Sequence, residues 1–473
     1  MATIKSILII LEVLLLFNLI IGVHELGHFL AARWRGLRVD RFAIWFGKPI
    51  WKRKIGGIEY ALGWVPFGGY VALPQMATME AIEGKGASSD EVLPPISGWD
   101  KIIVAFAGPL FSFLLALTFA AVVSGVGKPV NNFGDSTVIG WVKADGPAWQ
   151  AGLRAGDKIL EVDGHPVEHF APPAQNSVKW RIITSEGPTI PIKYLRDGKE
   201  AMAYPVPIHR PTKWYERKAF RQILIDAKLP AVVDEVLTNS PAAVAGLRSG
   251  DEIVALNGEK IYSFASLSQL EEDATNGLAK PATLTIRRGS EQFERELAPE
   301  KPLKPAHAGP SFGIAWQVDT NVTLIYPHPW EQIRDSAGQI FATIKALTSR
   351  GSDVGVQQLG GAVMIVHAYS NILENEQGWR MAIWFSVVLN VNLAMLNLLP
   401  LPVLDGGHIL LAVLELIRRR PVSTRILQYV QNGFAALLIT FMVYIAFFDT
   451  GDWLRSAHKD RQDDQPIVFS PKK

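Results

Sequence analysis

The sequence predicts a polytopic α-helical membrane protein with four transmembrane helices, a membrane-associated β-hairpin region and a tandem pair of small α+β domains. Four apolar stretches, at 7–32, 102–126, 381–404 and 426–448, are each long enough to cross about 30 Å of hydrocarbon as a helix. Residues 37–72 alternate aromatic and β-forming side chains with glycines, as in Phe46-Gly-Lys, Ile55-Gly-Gly and Phe67-Gly-Gly-Tyr-Val. That pattern describes strands and hairpins rather than a further helix. Between the second and third apolar stretches the chain repeats itself, which points to two copies of one module.

Composition agrees with a membrane class. Of 473 residues 48% are hydrophobic, and the mean hydropathy is +0.15. A net charge of +2 is too small for wholesale binding of nucleic acid or acidic substrates, so no nucleic-acid partner is expected. Cysteine is absent, which excludes disulfides, thiolate metal sites and a cysteine nucleophile. Any metal must rest on His, Asp or Glu.

In chain order, residues 1–36 form the first span. Only Lys5 precedes its apolar run, as in a signal sequence, but Glu12, His24, Glu25 and His28 lie inside it and no small-residue cleavage site is convincing, so it reads as retained. Glu12 reads as an interhelical packing residue. Residues 37–100 hold the β region, which can enter the membrane where protein shields it, and a polar cytoplasmic loop over 77–100 containing Pro94 and Pro95. The second span is 101–127, and the repeated modules take 128–221 and 222–310. Residues 311–379 read as a linker with an amphipathic helix whose apolar positions are Ile333, Ile340, Ile344 and Leu347. The third and fourth spans follow at 380–420 and 421–449, and 450–473 reads as a flexible, charge-mixed tail. Basic clusters after the first span (Arg33, Arg35, Arg38, Arg41) and after the third (Arg418, Arg419, Arg420) place both segments in the cytoplasm and the repeats on the other side.

The repeat runs from Ala151-Gly-Leu-Arg-Ala-Gly-Asp157 to Asp163-Gly164, and again from Ala245-Gly-Leu-Arg-Ser-Gly-Asp251 to Asn257-Gly258. The Asp-Gly and Asn-Gly pairs supply the positive φ of a tight hairpin. These segments resemble PDZ domains. The resemblance implies a fold that accepts an extended peptide as an added strand, for binding or gating; a rigid spacer is the alternative.

His24-Glu25-Leu26-Gly27-His28 has the form H-E-x-x-H. Two imidazoles four residues apart share one helix face and can hold one Zn²⁺, and Glu25 can reach a metal-bound water. Ionisable groups inside an apolar span are expensive and mark function. A catalytic zinc needs a third protein ligand. Asn397-Leu-Leu-Pro400-Leu-Pro402-Val-Leu-Asp405-Gly-Gly-His408 supplies candidates, with prolines that break the helix there. Spacing leaves Asp405 and His408 both eligible, while Glu415 reads as pairing with the nearby basic cluster. A second string, His165-Pro-Val-Glu-His169, fits the inverted pattern H-x-x-E-H but lacks the helix it needs.

Together, H-E-x-x-H, N-x-x-P-x-P-x-L-D-G and the tandem PDZ-like modules resemble the bacterial site-2 protease family, in its regulator of sigma-E protease group. The resemblance covers the chain from His24 to Asp405. It implies an intramembrane zinc metalloendopeptidase of the bacterial inner membrane, with periplasmic PDZ-like domains and an active site near the cytoplasmic side. His24, His28 and Asp405 would ligate Zn²⁺ and Glu25 would be the general base. Asn397 would hold the substrate backbone or oxyanion, and Phe67, Gly68, Gly69 and Tyr70 would lie beside the cleaved segment and extend it as a strand. The implied substrate is a single-span membrane protein in the bilayer, above all a pre-cleaved anti-sigma factor, with remnant signal peptides next. Two positions depart from the family: Ser112, where Asn is common after Gly108-Pro109, and Ala362, where Pro is common. A non-enzymatic PDZ membrane adaptor would instead be indifferent to His24. A zinc transporter would need ionisable residues that the second and fourth spans lack.

Overall fold

The computed structural model describes residues 2–76, 96–131, 136–171, 175–278, 280–317, 322–349, 351–419, 424–463 and 465–471. In chain order the elements are α1 (Ala2–Trp34), β1 (Arg41–Ile55), β2 (Ile58–Ala72), α2 (Gly98–Val126), β3 (Lys128–Asn131), β4 (Ile139–Val142) and α3 (Pro147–Gln150). Next come β5 (Lys158–Val162), β6 (His165–Pro166), α4 (Val178–Thr184), β7 (Ile192–Arg196), β8 (Lys199–Ala203), β9 (Ile225–Ala227), β10 (Val233–Val236) and α5 (Pro241–Val244). The second repeat continues with β11 (Glu252–Leu256), β12 (Glu259–Lys260), α6 (Ala265–Thr275), β13 (Ala282–Arg288), β14 (Glu291–Leu297) and β15 (Ile314–Trp316). The chain ends with β16 (Val322–Ile325), α7 (Pro329–Thr348), α8 (Ala362–Leu373), α9 (Gly378–Asn397), α10 (Asp405–Arg418) and α11 (Thr424–Asp463).

These elements fall into two compact units. One takes residues 1–129, 324–341 and 360–450; the other takes 130–323, 342–359 and 451–473.

Among the described residues, four helices are long and apolar enough to cross a membrane: Leu8–Trp34, Gly98–Val126, Gly378–Asn397 and Ile426–Lys459. Helix α2 starts cleanly because Ser97 and Asp100 form a capping box. Its small residues Ala116 and Ala120, both fully buried, let Val387 and Val391 of α9 approach closely. At the other end of the unit, Phe29, Ala32, Val71, Leu73, Val104 and Ala107 form one core that fixes the β region against α1 and α2. Strands β1 and β2 bend, so residues 41–44 pair with 59–62 on one side and 69–72 on the other, while 51–55 pairs with 58–62. This makes a small curled sheet whose edge runs through Gly69 and Tyr70. The loop expected over 77–100 lies outside the described residues from 77 to 95.

The expected third span, 380–420, is interrupted. Helix α9 stops at Asn397 and α10 begins at Asp405, because Pro400 and Pro402 remove amide donors and clash with a preceding turn. Glu12 also departs from expectation: Ile9, Val13 and Ile20 define the buried stripe of α1, and Glu12 falls off that stripe onto an exposed face.

In the second unit each repeat builds a four-stranded sheet, in the orders β6-β5-β7-β8 and β12-β11-β13-β14. Asp163 and Gly164 both have positive φ, as do Asn257 and Gly258, giving the tight turns the sequence signals. The sequence boundaries at 221 and 310 fall short of the sheets, since β9 pairs with β4 and β15 with β10. The repeated aspartates explain themselves: Asp157 holds Arg196 at 2.6 Å, and Asp251 holds Arg288 at 2.7 Å. Nor is the tail a free end. Helix α11 runs on to Asp463, the backbone of Val468 pairs with Lys304, and Phe469 is buried.

Candidate metal centre

The H-E-x-x-H segment is helical, so His24 and His28 stand one turn apart on the face of α1 that meets α2. Each ring is held from behind by α2. His28 Nδ1 lies 2.8 Å from the Val104 carbonyl oxygen, which can only accept, so this nitrogen carries the proton and Nε2 keeps its lone pair. His24 Nδ1 lies 2.9 Å from Ser112 Oγ, a hydroxyl able to accept from it when the ring takes the same tautomer as His28. The two Nε2 atoms are then 3.3 Å apart with lone pairs facing one another.

Asp405 completes the group. As the first residue of α10 it sits at the positive end of that helix, which favours a carboxylate. Its Oδ2 is 3.3 Å from His24 Nε2 and its Oδ1 is 3.4 Å from His28 Nε2. Ligands about 2.0–2.1 Å from a tetrahedral zinc lie roughly 3.3–3.4 Å from one another, so these three spacings fit such an ion. All three residues are buried, and two imidazole nitrogens converging on a carboxylate form a donor set that suits a cation. His408, equally eligible by spacing, is buried nearby but is not one of the three converging donors.

The backbone around the cluster is close-packed. A Cβ on Gly108 would stand 2.2 Å from His28 Nε2, and one on Gly27 would stand 2.4 Å from the Ala107 carbonyl oxygen. Only glycine lets α1 and α2 approach enough for both imidazoles to be held.

Glu25 is buried at 9% exposure and packs against Gly69, where an added Cβ would lie 3.0 Å from Glu25 Cγ. Asn397 Nδ2 is 3.4 Å from His24 Nε2, so the last residue of α9 faces the cluster. In the β region Gly68 has φ +79°, and a side chain there would collide with the Phe46 ring. Tyr70 stacks on Phe46 and its hydroxyl accepts from Arg41 at 2.9 Å. The Phe67 side chain lies outside the described residues. Thus His24, Glu25, His28, Asp405, Asn397 and the edge at Gly68–Tyr70 share one unit around one cluster.

Sequence reasoning left Ser112 in doubt, and its place behind His24 needed the fold. The Val104 carbonyl carried no signal at all, and Gly108 stood out only as part of the Gly108-Pro109 pair. Glu415 pairs with Lys101 at 2.6 Å, because α10 packs along α2. Ala362 is the first residue of α8, where no amide partner is needed; Asp449 accepts from Gly361 N–H at 2.9 Å and Met364 N–H at 3.2 Å. His165 lies on a strand and His169 on an isolated bridge, so H-x-x-E-H forms no helical metal motif.

The family model for peptidase family M50 matches residues 12–441. A Yersinia pestis protein named Protease RseP is 28% identical over 460 residues, covering 91% of this chain and 96% of its own length. The regulator of sigma E protease of Haemophilus influenzae is 28% identical over 447 residues, with the same coverage. A Xylella fastidiosa protein classed among zinc metalloproteases is 27% identical over 447 residues, covering 92% of this chain and 96% of its own.

Proposed function

The chain belongs to peptidase family M50, and on that premise we propose that His24, His28 and Asp405 are its zinc ligands and Glu25 its general base. It is a zinc metalloprotease, with Zn²⁺ as cofactor. The observation that carries the assignment is the convergence of two imidazole lone pairs and one carboxylate within 3.3–3.4 Å of one another.

Bound zinc lowers the pKa of its water and polarises the scissile carbonyl. The protein supplies the rest. Glu25, next to the first ligand, takes the proton from the attacking water and returns it to the leaving amine. Asn397 donates through Nδ2 to the developing oxyanion and so adds a fixed dipole in a water-poor site. A substrate helix must unwind before its carbonyl is reachable, since its backbone is internally bonded. Gly68, Gly69 and Tyr70 offer a sheet edge beside Glu25 on which the opened segment can pair, and Phe67 extends that edge.

The substrate class we infer is a single-span membrane protein cut within its transmembrane segment in the bacterial inner membrane. The names of the sigma E protease relatives support a trimmed anti-sigma factor, with remnant signal peptides second. In this reading the PDZ-like repeats lie in the periplasm and the metal nearer the cytoplasmic face, as the basic clusters suggest.

The test is Glu25→Gln in purified full-length protein. It should retain one zinc per chain and lose peptide-bond hydrolysis. Turnover near wild type would refute the role of Glu25. For the substrate, membrane proteomes with and without Glu25→Gln should differ by accumulated short-tailed single-span proteins; identical proteomes would refute the substrate class.

A further inference from the structure

The apolar seam between α2 and α9 ends in two cations. Along α9, Arg380, Trp384, Val387 and Val391 recur at intervals of four, three and four residues, so they share one face. Val387 and Val391 pack with Ala116, Ala120 and Val123 of α2, and Trp384 flanks that core. Helix α2 stops at Val126, and Lys128 follows at once in β3, its Nζ 3.7 Å from the centroid of the Trp384 ring. Arg380 stands one turn beyond Trp384, where helical neighbours lie about 5–6 Å apart. Its guanidinium rests over Trp379, 4.6 Å from that ring. Val104, which holds His28, lies near the other end of α2, so the two cations occupy the rim of the bundle remote from the metal cluster.

Neither cation is matched by a carboxylate of the described residues. Among these, Arg380 Nε and Nη1 are buried without a hydrogen-bond partner, and neither Arg380 nor Lys128 forms an ion pair. The acid that acts on Lys128 is Asp335, which is exposed and pairs instead with Arg334 at 3.5 Å. Burial pushes the Lys128 amine down to about 8, the mark of a charge withdrawn from water with too little negative charge beside it. Guanidinium nitrogens buried without acceptors are costly, and contact with an aromatic face replaces only part of the lost solvation. An anion with several oxygens satisfies both groups at once: the guanidinium fork suits phosphate, and the ammonium adds a point charge.

The surroundings choose the anion. Tyr326 beside Gly127, Trp330 at the start of α7 and Trp379 are all exposed, and Gln332 of α7 donates to the Ala120 carbonyl at 3.0 Å, which holds Trp330 near the same end of α2. Amphipathic rings gathered at one end of apolar helices mark headgroup depth. Deeper along α2, Leu114, Leu117 and Val122 are exposed and offer a surface to acyl chains. A zwitterionic headgroup would bring a third cation to this rim. We infer that Arg380 and Lys128 form a binding site for the phosphate of an anionic phospholipid, seated where the seam of α2 and α9 meets the headgroup layer. The lipid neutralises the rim and fastens these two helices at the end away from the metal. The inference rests on the helices crossing a bilayer and not on the zinc assignment, so the two can fail separately.

The experiment titrates the full chain in detergent micelles with dioleoylphosphatidylglycerol or dioleoylphosphatidylcholine, read by native mass spectrometry. Phosphatidylglycerol should bind about 20-fold tighter than phosphatidylcholine, and Arg380→Gln and Lys128→Gln should each remove about fivefold of that preference with phosphatidylcholine binding unchanged. In the unaltered protein, phosphatidylglycerol should slow acetylation of Lys128 by acetic anhydride, mapped by peptide mass spectrometry, and leave the exposed Lys199 as it was. Millimolar inorganic phosphate, against chloride at equal ionic strength, should not displace the lipid. Equal binding of the two lipids, a preference that survives both substitutions, or Lys128 labelled equally fast with either lipid would overturn the site. Displacement by inorganic phosphate would overturn the lipid and assign the rim to free anions.

Discussion

His24 Nε2 stands 3.3 Å from Asp405 Oδ2, although the two residues come from the first helix and from the helix that follows a proline-broken turn near the other end of the chain. Neither helix can supply a metal site alone. The pairing makes zinc retention a direct readout of how α1, α2 and α10 pack. Asp405→Asn should weaken zinc by at least about a hundredfold, since losing an outer partner of a ligand already costs 10–100-fold. Zinc content after dialysis against a chelator checks this, with His408→Ala expected to keep its metal.

Ser112 holds His24 from behind and is itself fully buried. Ser112→Ala should lower zinc affinity about tenfold through loss of ring orientation. Competition with a fluorescent chelator measures it; unchanged affinity would show that the hydroxyl plays no part in orienting His24.

Gly108 and Gly125 lie on the same helix and test crowding against general helix effects. A methyl at Gly108 meets His28 Nε2, whereas one at Gly125 meets nothing within 4 Å. Gly108→Ala should lose zinc and hydrolysis together. Gly125→Ala should keep both, with a melting temperature equal to or above wild type because alanine is the better helix former by roughly 1 kcal/mol.

Asp251 gives the second repeat an acid-sensitive lock. Burial pushes its carboxyl up, but Arg288 and the Arg248 N–H outweigh that and hold it below the usual range. A lowered folded value means that the stabilisation is present above the ordinary carboxylate pKa of about 3.9 and is lost as pH falls through the folded value. Asp251→Asn should cost on the order of 2 kcal/mol at neutral pH and flatten the acid limb of stability, as followed by hydrogen exchange of residues 252–256.

Glu271 runs the other way, because burial pushes its carboxyl up. Its contribution is full when protonated and lost as pH rises through the folded value. Glu271→Gln should therefore remove a loss of second-repeat stability between acid and neutral pH, which the same exchange measurement reads.

The metal motif was legible because helical spacing alone puts His24 and His28 on one face. Spacing left Asp405 and His408 both eligible and only the family resemblance favoured Asp405, because no local pattern encodes the direction of the chain break at 398–404. Ser112, Gly108 and the Val104 carbonyl act across helices, and a single sequence has no period that reports such contacts. The repeat was visible in its turns, yet its ends were not, since β9 and β15 return to strands laid down much earlier. The tail misled for a related reason: its charges suggested solvent, whereas Phe469 reaches the core surface beside Gly313 and Ser240.

That last contact dictates an order of assembly. Because residues 465–471 close the second repeat, the module cannot finish folding when its own sheet has left the ribosome; it must wait until α11 has been synthesised and its following segment has come back. Biogenesis of the second repeat is thereby tied to completion of the long apolar helix that precedes residues 465–471, and a chain stalled before that point would carry an unfinished domain open to degradation.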